Sequence, residues 1–101
     1  MRRYELMIII TDTLEEDDAK QEFERAKTVL EDQGGTVLDE AWWGRRRFTY
    51  EINNRDYGYY AVLDLRATAE AVAEVERQLK ISDHVVRYKT VRPEIRVRSN
   101  A

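Results

Sequence analysis

Residues 2–11 alternate along the chain, and this pattern constrains the fold more than any other feature of the sequence. A period of two residues is typical of a β-strand. From residue 4 onward one face of the strand carries Tyr4, Leu6, Ile8 and Ile10. The other face also carries apolar residues, Met7 and Ile9, among polar ones. Because both faces hold apolar side chains, we expect a central strand of a sheet.

Two later segments, near residues 14–33 and 69–81, have the 3.6-residue period of amphipathic helices. Each has a single apolar stripe. The first stripe is Ala19, Phe23, Ala26 and Leu30, and the second is Ala71, Val72, Val75 and Leu79. Each helix therefore has one face to bury.

Residues that favour helix ends flank both segments. Thr13, with Glu16 three residues later, predicts a capping box at the start of the first helix. Thr68 predicts the start of the second helix. The pair at 34–35 is Gly-Gly, which predicts the end of the first helix because glycine adopts positive φ without penalty.

The rest of the chain contains three further strands. Residues 36–52 predict one long strand with a bulge near Gly44. The cluster at 53–56 is typical of a turn, and residues 57–66 return as its hairpin partner. Residues 85–92 predict the last strand.

The order of these elements predicts the fold class. Two helices with one apolar face each can cover only one face of a four-stranded sheet. Helical crossovers between strands 1 and 2 and between strands 3 and 4 favour a split βαβ arrangement with strands 1 and 3 in the centre. We therefore expect an α+β, ferredoxin-like two-layer sandwich of order βαββαβ, with an antiparallel sheet and two helices on one face. Residues 1–92 would form this single domain, and residues 93–101 a C-terminal tail.

Composition limits the possible functions. The chain of 101 residues has no cysteine, which argues against disulfides and thiolate metal sites. Its longest apolar run, Leu6–Ile10, is too short for a membrane span or a signal peptide, so we expect a cytoplasmic protein. Net charge is −3, but the segment 84–101 has five basic residues and one acid. Such a bipolar chain can still present a basic surface to phosphates.

Two basic regions are candidate RNA contacts. The densest is Arg45, Arg46 and Arg47, where alternation places Arg46 on the opposite face from its two neighbours. Guanidinium groups bind phosphates through paired hydrogen bonds. The alternative is an edge strand protected by charge against aggregation. The second region comprises Arg2, Arg3, Arg87, Lys89 and Arg92 at adjoining strands.

Aromatic and apolar residues suggest contact with a partner. Trp42 and Trp43 should point to opposite faces, one toward the core and one outward, and exposed aromatics are common interface anchors. Packing of both within the monomer is the alternative. The sheet face without helices should carry Met7, Ile9, Tyr60 and Val62. Cover by a partner is favoured over base stacking there, because the aromatic signature of RNA-recognition sheets is missing.

No pattern in the sequence predicts catalysis. His84 is the single histidine and lies beside Asp83, but a neighbouring pair supplies neither nucleophile nor oxyanion site. No metal-ligand spacing and no phosphate-binding glycine loop occurs. We expect no enzymatic activity, no cofactor, no metal and no small-molecule substrate.

The order and spacing of several short segments resemble the bacterial small-subunit (30S) ribosomal protein six family. The segments are Arg2-Arg3-Tyr4-Glu5, Gly44 to Ile52, Tyr57-Gly58-Tyr59-Tyr60 and Leu79 to Arg87. This resemblance implies the ferredoxin-like fold and a non-enzymatic role in the ribosome. It also implies binding to central-domain ribosomal RNA together with small-subunit ribosomal protein eighteen.

Trp42, Ile95 and Val97 are the predicted contacts to that protein partner. In the tail, Ile95 and Val97 alternate with charged residues, a pattern that an extended peptide uses to lie along another chain. Two other interpretations of the chain are possible. One is a homodimeric ferredoxin-like binding or regulatory module, and the other is a redesigned scaffold that keeps the fold but has lost the interface. A small ferredoxin-like enzyme is the least favoured interpretation, because no catalytic residues are recognised.

Overall fold

The structure is a computed structural model that describes residues 1–52 and 55–92, and of 48–52, 55 and 56 it describes the backbone only. Its elements are β1 (Arg2–Thr11), α1 (Glu16–Asp32), β2 (Thr36–Ile52), β3 (Arg55–Ala67), α2 (Ala69–Ile81) and β4 (Val85–Val91). The strands form one antiparallel sheet of order β2-β3-β1-β4. The predicted βαββαβ fold with β1 and β3 in the centre is confirmed.

Both helices pack on one face of this sheet, as predicted. The side chains of β1 that alternate toward the helices are buried, among them Leu6, Ile8 and Ile10, at most 2% exposed. Phe23 of α1 and Leu79 of α2 are buried against them. The central residues of β3 complete this core with Ala61, Leu63 and Leu65. The opposite face of the sheet has no helix, and we call it the open face.

The start of α1 differs from the prediction. Thr13 does not cap the helix; Glu15 occupies the N-cap position, and its side chain makes no capping hydrogen bond. The Thr13 hydroxyl lies instead 3.1 Å from that of Thr11, which also accepts from the Thr13 backbone N–H at 3.3 Å. Thr13 is therefore tied to the end of β1, two residues upstream of the cap. Acidic residues from Glu16 to Asp18 fill the first turn, where the helix dipole favours negative charge.

The other predicted helix ends are confirmed. Thr68 is the N-cap of α2, and its hydroxyl accepts the Ala71 backbone N–H at 3.1 Å. Gly34 has φ 87° just after α1, a conformation that favours glycine. A Cβ on Gly35 would lie 2.6 Å from a Leu30 methyl group, so close packing also requires glycine there.

Strand ends depart from the prediction by a few residues. Arg55 and Asp56 belong to β3 and not to the turn, and β4 ends at Val91. Asn53 and Asn54 and the predicted tail at 93–101 lie outside the described residues.

Two single-residue bulges interrupt the long edge strand β2, and a third shift in its pairing with β3 lies farther on, between Arg47 and Ile52. The pairing with β3 shifts between Trp42 and Gly44, as predicted from the glycine, whose φ is 82°. It also shifts between Val37 and Asp39, which the sequence analysis missed. At each of the two bulges β2 has one residue more than its partner strand.

Candidate nucleic-acid interface

The arginine cluster lies on the edge of the sheet, near the end of β2, and its members differ in surroundings. Arg45 is opposite Tyr59 and points to the helix side. Its Nε donates to the Asp12 carboxylate at 3.2 Å, and its guanidinium lies 4.1 Å from the centre of the Tyr57 ring. Arg45 is therefore ion-paired and packed within the domain, although its side chain is still half exposed.

Arg46 is on the other side of the strand. It lies opposite Gly58, with its guanidinium 5.2 Å from the Trp43 ring centre and its Nε donating to the Trp43 carbonyl at 3.4 Å. The Trp43 ring is in turn stacked on Tyr60, with centroids 6.3 Å apart and planes 9° from parallel. The opposite directions of Arg45 and Arg46 agree with the predicted alternation. Arg47 is exposed opposite Tyr57.

The two tryptophans point to opposite faces, as predicted. Trp42 lies on the helix side, where its ring contacts Phe23 at 6.1 Å and Tyr59 at 5.7 Å between centroids. Its Nε1 donates to a Glu16 carboxylate oxygen at 2.9 Å. Trp43 is 48% exposed. Trp42 thus packs within the domain, and its role as a partner contact stays a prediction; the more accessible ring is Trp43, which sequence reasoning did not select.

The second basic region is split by acids. Arg87 and Lys89 lie at the β4 edge, opposite Ile9 and Met7 of β1. Along β1, Arg3 lies two cross-strand rows from Met7 on the same face. Its Nη2 and Nε donate to the two carboxylate oxygens of Asp64 at 2.8 and 3.0 Å. The row between Arg3 and Met7 has an acid on each of three neighbouring strands: Glu5, Asp64 and Asp39. Arg2 is exposed at the start of β1, and Arg92 follows β4.

The first helix is mainly acidic, in contrast to the arginine cluster on β2. The segment of α1 has seven acids and three bases. Burial lowers the pKa of Lys27, but hydrogen bonds and attraction from Glu24 and Glu40 outweigh it, so the pKa is raised. On α2, hydrogen bonds from Arg77 and Gln78 lower the pKa of Glu74 to about 2. The acidic surface of α1 is therefore unfavourable for an anionic ligand.

The described residues show no arrangement suited to catalysis. They contain no cluster of His, Asp and Glu that could hold a metal ion. The backbone carbonyl of His84 accepts from the Thr11 N–H at 2.8 Å, which places this residue in the structural turn before β4. No helix within the described part of the chain is long and apolar enough to cross a membrane.

Comparison with known proteins places this chain in a defined class. The crystal structure of 30S ribosomal protein S6 from Thermotoga maritima matches with a TM-score of 0.87 and 28% identity, covering 98% of this chain and 96% of that one. Small ribosomal subunit protein bS6 from Salinispora arenicola is 46% identical over 96 residues, 95% of this chain and all of the relative. The same protein from Streptomyces coelicolor is 41% identical over 95 residues, 94% of this chain and 99% of the relative. The class is thus that of small-subunit ribosomal proteins.

The family model described as ribosomal protein S6 matches residues 3–92. The chain belongs to the ribosomal protein S6 family. The predicted family is therefore confirmed, as are a structural, non-enzymatic role in the small ribosomal subunit and, with it, the cytoplasmic ribosome as location.

Proposed function

We propose that this chain binds central-domain RNA of the small ribosomal subunit, together with small-subunit ribosomal protein eighteen. The observation that carries the proposal is the row of exposed arginines on the β2 edge, Arg45 to Arg47. Arg87 and Lys89 supply further positive charge at the opposite edge of the open face. Because the chain belongs to a ribosomal protein family, ribosomal RNA is the nucleic acid that we expect it to bind.

The open face supports a protein partner beside the RNA. Its middle rows are apolar, with Met7, Val62 and Tyr60 partly exposed and no helix above them. A contiguous apolar patch on a small domain usually marks a contact surface. Protein eighteen is proposed as its occupant on the basis of the family resemblance. The contacts expected from the sequence are Ile95 and Val97 of the tail and Trp42, which lies on the helix side of β2 and not on the open face.

Salt-dependent binding tests the RNA contacts. Basic side chains that neutralise phosphates release counterions, so the logarithm of affinity falls linearly with the logarithm of salt concentration. We expect simultaneous replacement of Arg45, Arg46 and Arg47 by Ala to weaken binding to central-domain RNA and to flatten this slope. Affinity is measured by filter binding from low to high salt, with protein eighteen present throughout.

A charge-matched control is available on the helix layer. Replacing Arg25, Arg77 and Lys80 by Ala removes the same charge far from the open face and should leave the slope unchanged. If the β2 variant keeps the wild-type affinity and slope, its arginines serve only to protect the edge strand. Size-exclusion chromatography of the same samples detects the alternative: a stable homodimer that binds neither RNA nor protein eighteen would favour the regulatory module.

A further inference from the structure

We propose that Trp43 is a positioning residue that holds the Arg46 guanidinium for contact with an RNA phosphate. In this arrangement Arg46 contributes more to phosphate binding than its neighbour Arg45. The inference rests on the proposed RNA binding and assigns separate roles within it.

The bulge in β2 brings the two residues to the same face. In a regular strand, residues three apart point to opposite sides of the sheet. Here the pairing shifts between Trp42 and Gly44, so Trp43 is the extra residue. The ring of Trp43 consequently stacks on Tyr60 of the open face, where Arg46 also lies.

The resulting stack restrains Arg46 in two ways. Its guanidinium lies 5.2 Å from the centre of the Trp43 ring, and its Nε donates to the Trp43 carbonyl at 3.4 Å. The ring is itself fixed by its parallel contact with Tyr60. A guanidinium held against an aromatic ring keeps the N–H groups in its plane available for a phosphate. Fewer side-chain rotamers are then lost on binding, which favours affinity.

Arg45 has a different environment. Its charge already faces the Asp12 carboxylate, with 3.2 Å from Nε to the nearer oxygen, and its guanidinium lies over Tyr57. Both contacts are on the helix side of β2. A phosphate that recruits Arg45 must compete with Asp12, so this arginine gains less from RNA than Arg46 does.

Single substitutions separate these roles. With full-length protein, protein eighteen and central-domain RNA, we expect Arg46→Ala to lower the salt slope by about one. Arg45→Ala should change the slope much less. Trp43→Ala should weaken RNA binding about two- to fivefold, the range expected when an exposed cation–π contact is lost. Trp43→Phe, which keeps an aromatic ring, should restore most of that loss.

A double-mutant cycle tests the coupling between the two side chains. If Trp43 acts through Arg46, the double substitution to Ala weakens RNA binding no more than Arg46→Ala alone. Arg46→Lys provides a second background, since it keeps the charge but not the planar group, and removal of Trp43 should have little effect there. Thermal melts check that each variant is folded.

Three results would overturn the inference: equal losses for Arg45→Ala and Arg46→Ala, additive losses in the cycle, or loss of protein-eighteen binding by Trp43→Ala in the absence of RNA. The last result would assign Trp43 to the protein partner. Unchanged RNA binding by the triple arginine variant has a different meaning, because it would remove the proposed RNA contact of β2 altogether.

Discussion

At the scale of single residues, Phe23 is the clearest test of the core. Its side chain is 4% exposed, lies between α1 and the sheet, and contacts the Trp42 ring. We predict that Phe23→Ala lowers the free energy of unfolding by about 3–5 kcal/mol, because it removes buried surface and leaves a cavity. Urea denaturation measures the change. A loss below about 1 kcal/mol would show that the site collapses around the smaller side chain or contributes little to the core.

At the scale of elements, the two helices begin in different ways. The hydroxyl of Thr68 caps α2, whereas that of Thr13 contacts Thr11 and caps nothing. We predict that Thr68→Ala lowers the free energy of unfolding by about 1 kcal/mol, the usual cost of a lost cap. Thr13→Ala is the matched control and should cost under about 0.5 kcal/mol, as for other surface substitutions. Equal costs in denaturant titrations would mean that the capping hydrogen bond of Thr68 adds no stability.

The sequence predicted most elements because their periods are regular. Alternation in β1 and the stripe ending at Leu79 depend on residue spacing alone, and both were correct. Contacts that depend on local backbone geometry are harder to predict from the sequence. The extra residue between Val37 and Asp39 has no glycine beside it to indicate a bulge, and Thr13 has the residue type of a cap without its position. The partnership of Trp43 with Arg46 requires the bulge to be known first, since simple alternation separates them.

At the scale of the whole molecule, the described residues form one hydrophobic core between the helices and the sheet. The buried apolar residues of the described chain all lie between Tyr4 and Leu79. We predict that deleting residues 93–101 shifts the melting temperature by less than about 2 °C, since 1 kcal/mol corresponds to about 4–8 °C in a small domain. The same deletion should weaken binding to protein eighteen, measured by isothermal titration calorimetry.

Paired variants of the tail identify which side chains matter. Replacing Ile95 and Val97 by Ala should reproduce the loss of partner affinity, whereas replacing Arg96 and Arg98 should have a smaller effect at moderate salt. A large drop in melting temperature would instead make the tail part of the fold. Unaltered partner affinity would show that it takes no part in the interface.

The two bulges of β2 also determine where insertions and deletions can occur. Loss of one residue from a regular strand turns every later side chain to the wrong face. At positions 38 and 43 the extra residue has no partner of its own in the pairing with β3. Its removal would leave the pairs on either side, such as Trp42 with Ala61 and Gly44 with Tyr60, in place. Between Val37 and Arg47, length differences among relatives should therefore be found at these two points, where the edge can change by one residue without exchanging its inner and outer faces.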